Sequence, residues 1–87
     1  MGAPTFPVMS ARPIDPYGER HAYDQVADDI ERRIGEGEIS VKLPAERSLA
    51  EEYGVAYVTV RHAMATLRER GVIITVHGRG TFVRRRG

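Results

Sequence analysis

Residues 54–71 read Gly-Val-Ala-Tyr-Val-Thr-Val-Arg-His-Ala-Met-Ala-Thr-Leu-Arg-Glu-Arg-Gly, and this stretch decides the fold. Val60, Ala63, Met64 and Leu67 recur at i, i+3, i+4 and i+7, the spacing that lines one face of an α-helix with apolar side chains. The pattern predicts a helix over about Tyr57–Arg70. Gly71 stands where a left-handed cap is usual, and Arg68 and Arg70 fall in the last turn, where cations meet the negative end of the helix dipole. With that stripe facing inward, Tyr57, Val58, Thr59, Arg61 and His62 are left to face out.

Toward the N-terminus a second, short helix precedes it almost directly. Pro44 marks its start, since proline is tolerated only at or before a helix's first turn. Leu49, Ala50 and Tyr53 make its expected buried stripe, Glu46, Glu51 and Glu52 its outer side, and Gly54 its end. Two helices joined by a short glycine-containing turn form a helix-turn-helix. Ile39 to Leu43, with Ile39, Val41 and Leu43 on one side, reads either as a connector or as a minimal strand.

Further upstream, Tyr23, Val26, Ala27, Ile30 and Ile34 make another helical stripe, predicting a first helix over about residues 22–36 that Gly35 and Gly37 stop. Asp24, Asp28, Asp29, Glu31, Arg32 and Arg33 occupy its other faces, the acidic ones reading as a solvated face, with Asp28–Arg32 and Asp29–Arg33 at the favourable acid-first spacing. Four of the five prolines lie in residues 1–16, so residues 1–20 read as an irregular or disordered extension.

Downstream, the β-branched run Val72-Ile73-Ile74-Thr75-Val76-His77, the tip Gly78-Arg79-Gly80 and the run Thr81-Phe82-Val83 read as a β-hairpin. Residues 85–87 form a basic tail. The expected fold is therefore mainly α with a small antiparallel β wing, a winged helix-turn-helix of three helices plus hairpin over residues 21–84.

Composition limits what such a domain does. At 87 residues, 41% hydrophobic and 29% charged, the chain has room for one modest core. It has no cysteine for a disulfide or a thiolate metal site. No stretch approaches the ~20 apolar residues that span a bilayer, and no secretory signal opens the chain, so a cytoplasmic, nucleoid-associated protein is expected.

Net charge is only +1, but it is unevenly spread. Residues 1–54 hold 6 basic and 11 acidic residues, whereas residues 55–87 hold 7 arginines and one glutamate. Asymmetry of this kind hints at a polyanion-binding face.

Catalytic and metal readings fail. His21, His62 and His77 lack ligand spacing, Ser48 has no nucleophile elbow, and Gly78-Arg79-Gly80 lies within a hairpin rather than between strand and helix. No active site, metal site or cofactor site is assigned.

A helix-turn-helix presents its second helix to the DNA major groove. Arg61 suits a phosphate or a guanine edge, to which a guanidinium donates two parallel hydrogen bonds. Arg79, between Gly78 and Gly80 with His77 and Thr81 flanking the tip, carries charge outward on the wing. The plainer alternatives are a solvated arginine and an ordinary hairpin.

The residues resemble the GntR family of bacterial regulators. Leu43-Pro44-Ala45-Glu46-Arg47-Ser48-Leu49-Ala50 is similar to that family's Leu-Pro-Ser-Glu-Arg-x-Leu-Ala block. Gly54-Val55, Thr59-Val60-Arg61, Ala63, Leu67 and Gly71 continue the likeness, and Tyr23-x-Gln25-Val26 resembles the opening of its first helix. Gly78-Arg79-Gly80-Thr81-Phe82-Val83 looks like its wing, in a form common in the HutC-like branch.

The resemblance implies sequence-specific binding of double-stranded DNA by a transcription regulator, expected to be a repressor. Arg47 would approach from the second helix and Thr59 and Arg61 from the third, while His77, Gly78 and Arg79 would reach the minor groove or nearby phosphates. It also implies a homodimer on an inverted repeat. Pro44 and Glu46 are read as structural.

Three departures stand out. Ala56 and Tyr57 replace a Ser/Thr-Arg pair, removing an N-cap and a frequent DNA contact. Tyr57 could instead donate to a phosphate or pack on a thymine methyl. The connector before Leu43 is about two residues short. Finally, the usual C-terminal effector domain does not follow the wing, so a fragment of a longer effector-responsive regulator and a stand-alone repressor both remain open. No small-molecule effector is assignable. A winged helix that docks a partner protein is the alternative from another class.

Overall fold

Val60, Ala63, Met64 and Leu67 are each at most 1% exposed, and around this stripe the rest of the domain is assembled. The structure is a computed structural model that describes residues 21–84. The extension expected over residues 1–20 and the basic tail at 85–87 lie outside the described residues. In chain order the elements are α1 (Ala22–Gly35), α2 (Glu46–Tyr53), α3 (Tyr57–Glu69), β1 (Ile73–Val76) and β2 (Gly80–Val83).

Against α3 pack Val26, Ala27 and Ile30 from α1, Leu49 and Tyr53 from α2, Ile39 and Leu43 from the segment between them, and Ile73 from β1. Fully burying such a side chain stabilises the fold by roughly 1.5–3 kcal/mol. Gly54 ends α2 with φ 67°, and its N–H and that of Val55 return to carbonyls of the last turn of α2. A left-handed residue there lets α3 begin within three positions, a conformation glycine adopts without a Cβ clash.

The wing is an antiparallel hairpin with Ile73 opposite Val83 and Val76 opposite Gly80. The segment read as connector or minimal strand adds a third rung. Lys42 bridges Phe82, the Leu43 N–H donates to Thr81 O at 2.9 Å, and the Val83 N–H donates to Val41 O at 2.8 Å. Its expected single-sided pattern holds for buried Ile39 and Leu43 but not for Val41, which is 53% exposed. The chain bends at Ile39 and Val41, which breaks the two-residue alternation.

A second correction concerns the polar faces of α1. Asp29 and Arg33 are 9% and 5% exposed, so they are buried rather than solvated. The Tyr53 hydroxyl joins them: it donates to Asp29 Oδ2 at 2.8 Å and accepts from Arg33 at 3.1 Å. Arg33 also meets Glu38 at 2.9 Å and Glu52 at 3.3 Å, while Arg32 bonds Asp29 and Glu36. Burial pushes the Tyr53 hydroxyl well above the usual phenol range, the Arg33 bond opposing and the Asp29 bond reinforcing it, so it stays a donor. No buried side-chain polar atom among the described residues lacks a partner.

Tyr53→Phe removes that hydroxyl without changing the ring. It leaves a buried carboxylate and guanidinium each short of one bond, which should cost about 1–3 kcal/mol. Urea denaturation monitored by circular dichroism checks this. An unchanged midpoint would mean that the hydroxyl adds nothing to the α1–α2 joint beyond its apolar contacts and the Arg33–Glu52 pair.

Candidate nucleic-acid interface

The inward stripe of α3 fixes what points out. Tyr57 is 42% exposed, Val58 69%, Arg61 and His62 are exposed, and Thr59 is half-buried. The helix starts without side-chain help. Ala56 has the extended backbone of an N-cap (φ −67°, ψ 150°) but makes no capping bond, and the first turn contains no acidic residue. The lost cap expected from Ala56 is thus real.

Tyr57 organises this end. Its hydroxyl donates to Glu46 Oε1 at 3.0 Å across the turn, tying α3 to the first residue of α2. The Arg47 guanidinium lies 5.3 Å from its ring centroid and that of Arg61 lies at 6.0 Å. Cations near an aromatic ring gain about 0.5–1 kcal/mol each at exposed sites, falling off near 6 Å, so Arg47 is the more firmly held. Three of the nine residues singled out from sequence, Arg47, Tyr57 and Arg61, are therefore in one cluster.

His62 lies on the same helix but is otherwise engaged. Its ring stacks on Tyr23 with centroids 3.6 Å apart, and Tyr23 stacks in turn on His21 at 5.4 Å. One face of the His62 ring is covered by α1, leaving its edge and other face.

His77, Gly78 and Arg79 form the exposed turn between β1 and β2, closed by the Arg79 N–H on Val76 O at 2.9 Å. No hydrogen bond or ion pair among the described residues joins this tip to the Tyr57 cluster. At Gly80, φ is +123° and a Cβ would fall 2.8 Å from Lys42 Cε, so the Lys42 side chain runs directly over the strand next to the tip. Lys42, whose Nζ is 5.9 Å from the Phe82 ring, is a cation that sequence reading did not single out. Its bridge to Phe82 is a one-residue strand and leaves no periodic signal.

The ion pairs sort the cations into two groups. Arg32, Arg33 and Arg70 all face carboxylates, Arg70 reaching from the end of α3 to Asp28 at 2.9 Å and Glu31 at 2.8 Å on α1. Hydrogen bonds to Asp28 and Glu31 hold the Arg70 guanidinium even more firmly protonated than usual. Lys42, Arg47, Arg61 and Arg79 have no carboxylate partner among the described residues. Arg68 donates to Thr75 Oγ1 at 2.8 Å, linking α3 to the wing.

Three helices, with the second and third joined by a tight turn and a hairpin behind the third, define a winged helix-turn-helix domain. The chain belongs to the gntR family of bacterial regulatory proteins, which matches residues 22–83. It is 39% identical over 69 residues to the mannosyl-D-glycerate transport/metabolism system repressor MngR of Escherichia coli, covering 77% of this chain and 29% of that protein. It is 38% identical over 63 residues to the HTH-type transcriptional repressor NagR of Bacillus subtilis, covering 70% and 26%. The chain thus spans under a third of the length of these curated relatives.

Among solved structures it resembles YtrA from Sulfolobus acidocaldarius, a GntR-family transcription factor, with a TM-score of 0.78 and 35% identity over 90% of this chain and 84% of that one. It also resembles the AraR DNA-binding domain in complex with operator ORX1, with a TM-score of 0.69 and 34% identity over 82% and 87%. These relatives are transcription regulators. Among the described residues no helix is long and apolar enough to cross a membrane, and no group of His, Cys, Asp or Glu could hold a metal ion.

Restoring a hydroxyl at the start of α3 tests the reading of its N-terminus. Ala56→Ser should add a cap to the Val58 N–H, since the Thr59 N–H already donates to Ala56 O at 3.0 Å, and raise stability by about 1 kcal/mol. The urea midpoint checks it, and no shift would mean that the Val58 N–H gains nothing from the added hydroxyl.

Proposed function

We propose that the chain is the DNA-reading domain of a bacterial transcription regulator, most simply a repressor, that binds double-stranded DNA sequence-specifically. α3 enters the major groove N-terminus first and the wing lies in or beside the minor groove, the arrangement general to this architecture. The observation that carries this reading is the pair Arg47 and Arg61, exposed, without carboxylate partners and held against one aromatic ring at the leading end of α3.

The roles follow from chemistry. Arg61 offers its guanidinium to a guanine edge or a phosphate, and Thr59 a hydroxyl. Arg47 anchors the backbone beside the groove. Tyr57 holds both arginines, and its departure from the family's arginine gives this chain an operator of its own. Val58 and the free edge of His62 complete the face. His77, Gly78 and Arg79 approach the neighbouring minor groove or phosphates, with Lys42 behind them. The same unpaired cations would suit an acidic protein surface, but the AraR domain resembled at 34% identity has operator DNA bound, which favours a duplex here.

Selection of bound sequences from a random duplex library, followed by mobility shifts, tests the proposal. Wild type should enrich one motif. Arg61→Ala should bind that motif and unrelated duplex alike while keeping its helical circular dichroism. Equal preference in mutant and wild type would remove Arg61 from the reading.

Arg47→Ala should weaken binding to every duplex and flatten the plot of log affinity against log salt by about 0.9, the release expected for one lost phosphate contact. An unchanged slope would take Arg47 off the backbone. No shift of any duplex at low salt would leave the protein-docking alternative.

A further inference from the structure

Of the large hydrophobic side chains that the domain exposes, Val58 is the most open at 69%, and it sits on the leading turn of α3. The rest of the outward face there is polar or already engaged. Tyr57 has its hydroxyl on Glu46 and guanidinium groups of Arg47 and Arg61 against its ring. Thr59 is half-buried, and His62 stacks on Tyr23. Val58 stands one helical turn before Arg61 on the same face, because residues three apart on a helix are neighbours.

We propose that Val58 is a specificity-determining residue that reads the 5-methyl group of a thymine in the major groove. This inference rests on the DNA-binding reading above and deepens it. The thymine methyl is the apolar feature that a base edge presents in that groove, and an apolar side chain recognises it by excluding water.

Three residues of helix advance by about 4.5 Å, while successive base pairs are about 3.4 Å apart. The thymine therefore lies within about two base pairs of the base or phosphate that Arg61 contacts. Tyr57, which also has an aromatic surface to offer, is committed to holding the two arginines, and this leaves the methyl to Val58.

The test uses the 87-residue chain and the motif enriched by selection. Each thymine of that motif is replaced singly by deoxyuridine, which deletes the methyl and keeps every hydrogen-bonding group. Affinities are measured for wild type and for Val58→Ser, a change at an exposed position that should leave the circular dichroism spectrum unaltered.

One thymine near the Arg61 contact should lose about four-fold in affinity on replacement by uracil, the size expected for one methyl removed from apolar contact. That loss should vanish in Val58→Ser. A motif insensitive to uracil at every thymine, or a uracil penalty equally large in Val58→Ser, would overturn the assignment while leaving DNA binding intact. A library that enriches nothing would overturn the sequence-specific reading, and this inference with it.

Discussion

The outward chemistry of the domain depends on the rotational setting of α3. With Val60, Ala63, Met64 and Leu67 seated against α1, α2 and β1, helical geometry leaves Tyr57, Val58, Arg61 and His62 no inward option. A turn of the helix by one residue would expose apolar groups worth roughly 1.5–3 kcal/mol each. It would also carry the Arg61 guanidinium toward the core, where a charge without a partner costs several kcal/mol more. The setting is thus enforced from both sides, and the face that α3 presents is a consequence of the core.

What positions α2 relative to α3 is partly polar. The Tyr53 ring fills the core while its hydroxyl lies between Asp29 and Arg33, and Glu38 and Glu52 complete the guanidinium's surroundings. Tyr53 directly precedes Gly54, so this network fixes the end of α2 where the turn into α3 begins. The acidic surplus of the first 54 residues acts in the same way. Asp28 and Glu31 hold Arg70, and Asp29 and Glu36 hold Arg32. Carboxylates are matched to the arginines that tie the body together, and those at the start of α3 and on the wing are left uncompensated.

The three helices, the turn and the hairpin were legible in the sequence because each rests on a local signal. These are the stripe of α3, Gly54 at a left-handed cap, and Gly78 and Gly80 between β-branched runs. The α1 limits differ by a single residue, as helix ends usually do. The buried Asp29–Tyr53–Arg33 network was not legible. Amphipathic reading places charged residues outside, and the hydroxyl that makes burial tolerable comes from 24 positions along the chain. For the same reason the sequence yielded Arg47, Tyr57 and Arg61 as separate candidates and not as one cluster around a ring. The stacking of His62 on Tyr23 and the run of Lys42 over Gly80 depend on tertiary contacts that leave no spacing behind.

The two substitutions at the start of α3 make most sense together. Ala56 forgoes a cap worth about 1 kcal/mol, and the first turn holds no acidic side chain to offset the positive end of the helix dipole. An aspartate cap would stabilise the free domain, but it would put a fixed negative charge beside Arg47 and Arg61. Glu46, the acidic group that does lie nearby, is held by the Tyr57 hydroxyl and begins α2, whose own dipole it complements. Tyr57 thus anchors the neighbouring carboxylate and steadies two guanidinium groups, where an arginine at that position would add a third mutually repelling charge. This end of α3 gives up local stability and keeps the Arg47 and Arg61 guanidinium groups without a carboxylate partner among the described residues, the charge that the proposed duplex would meet.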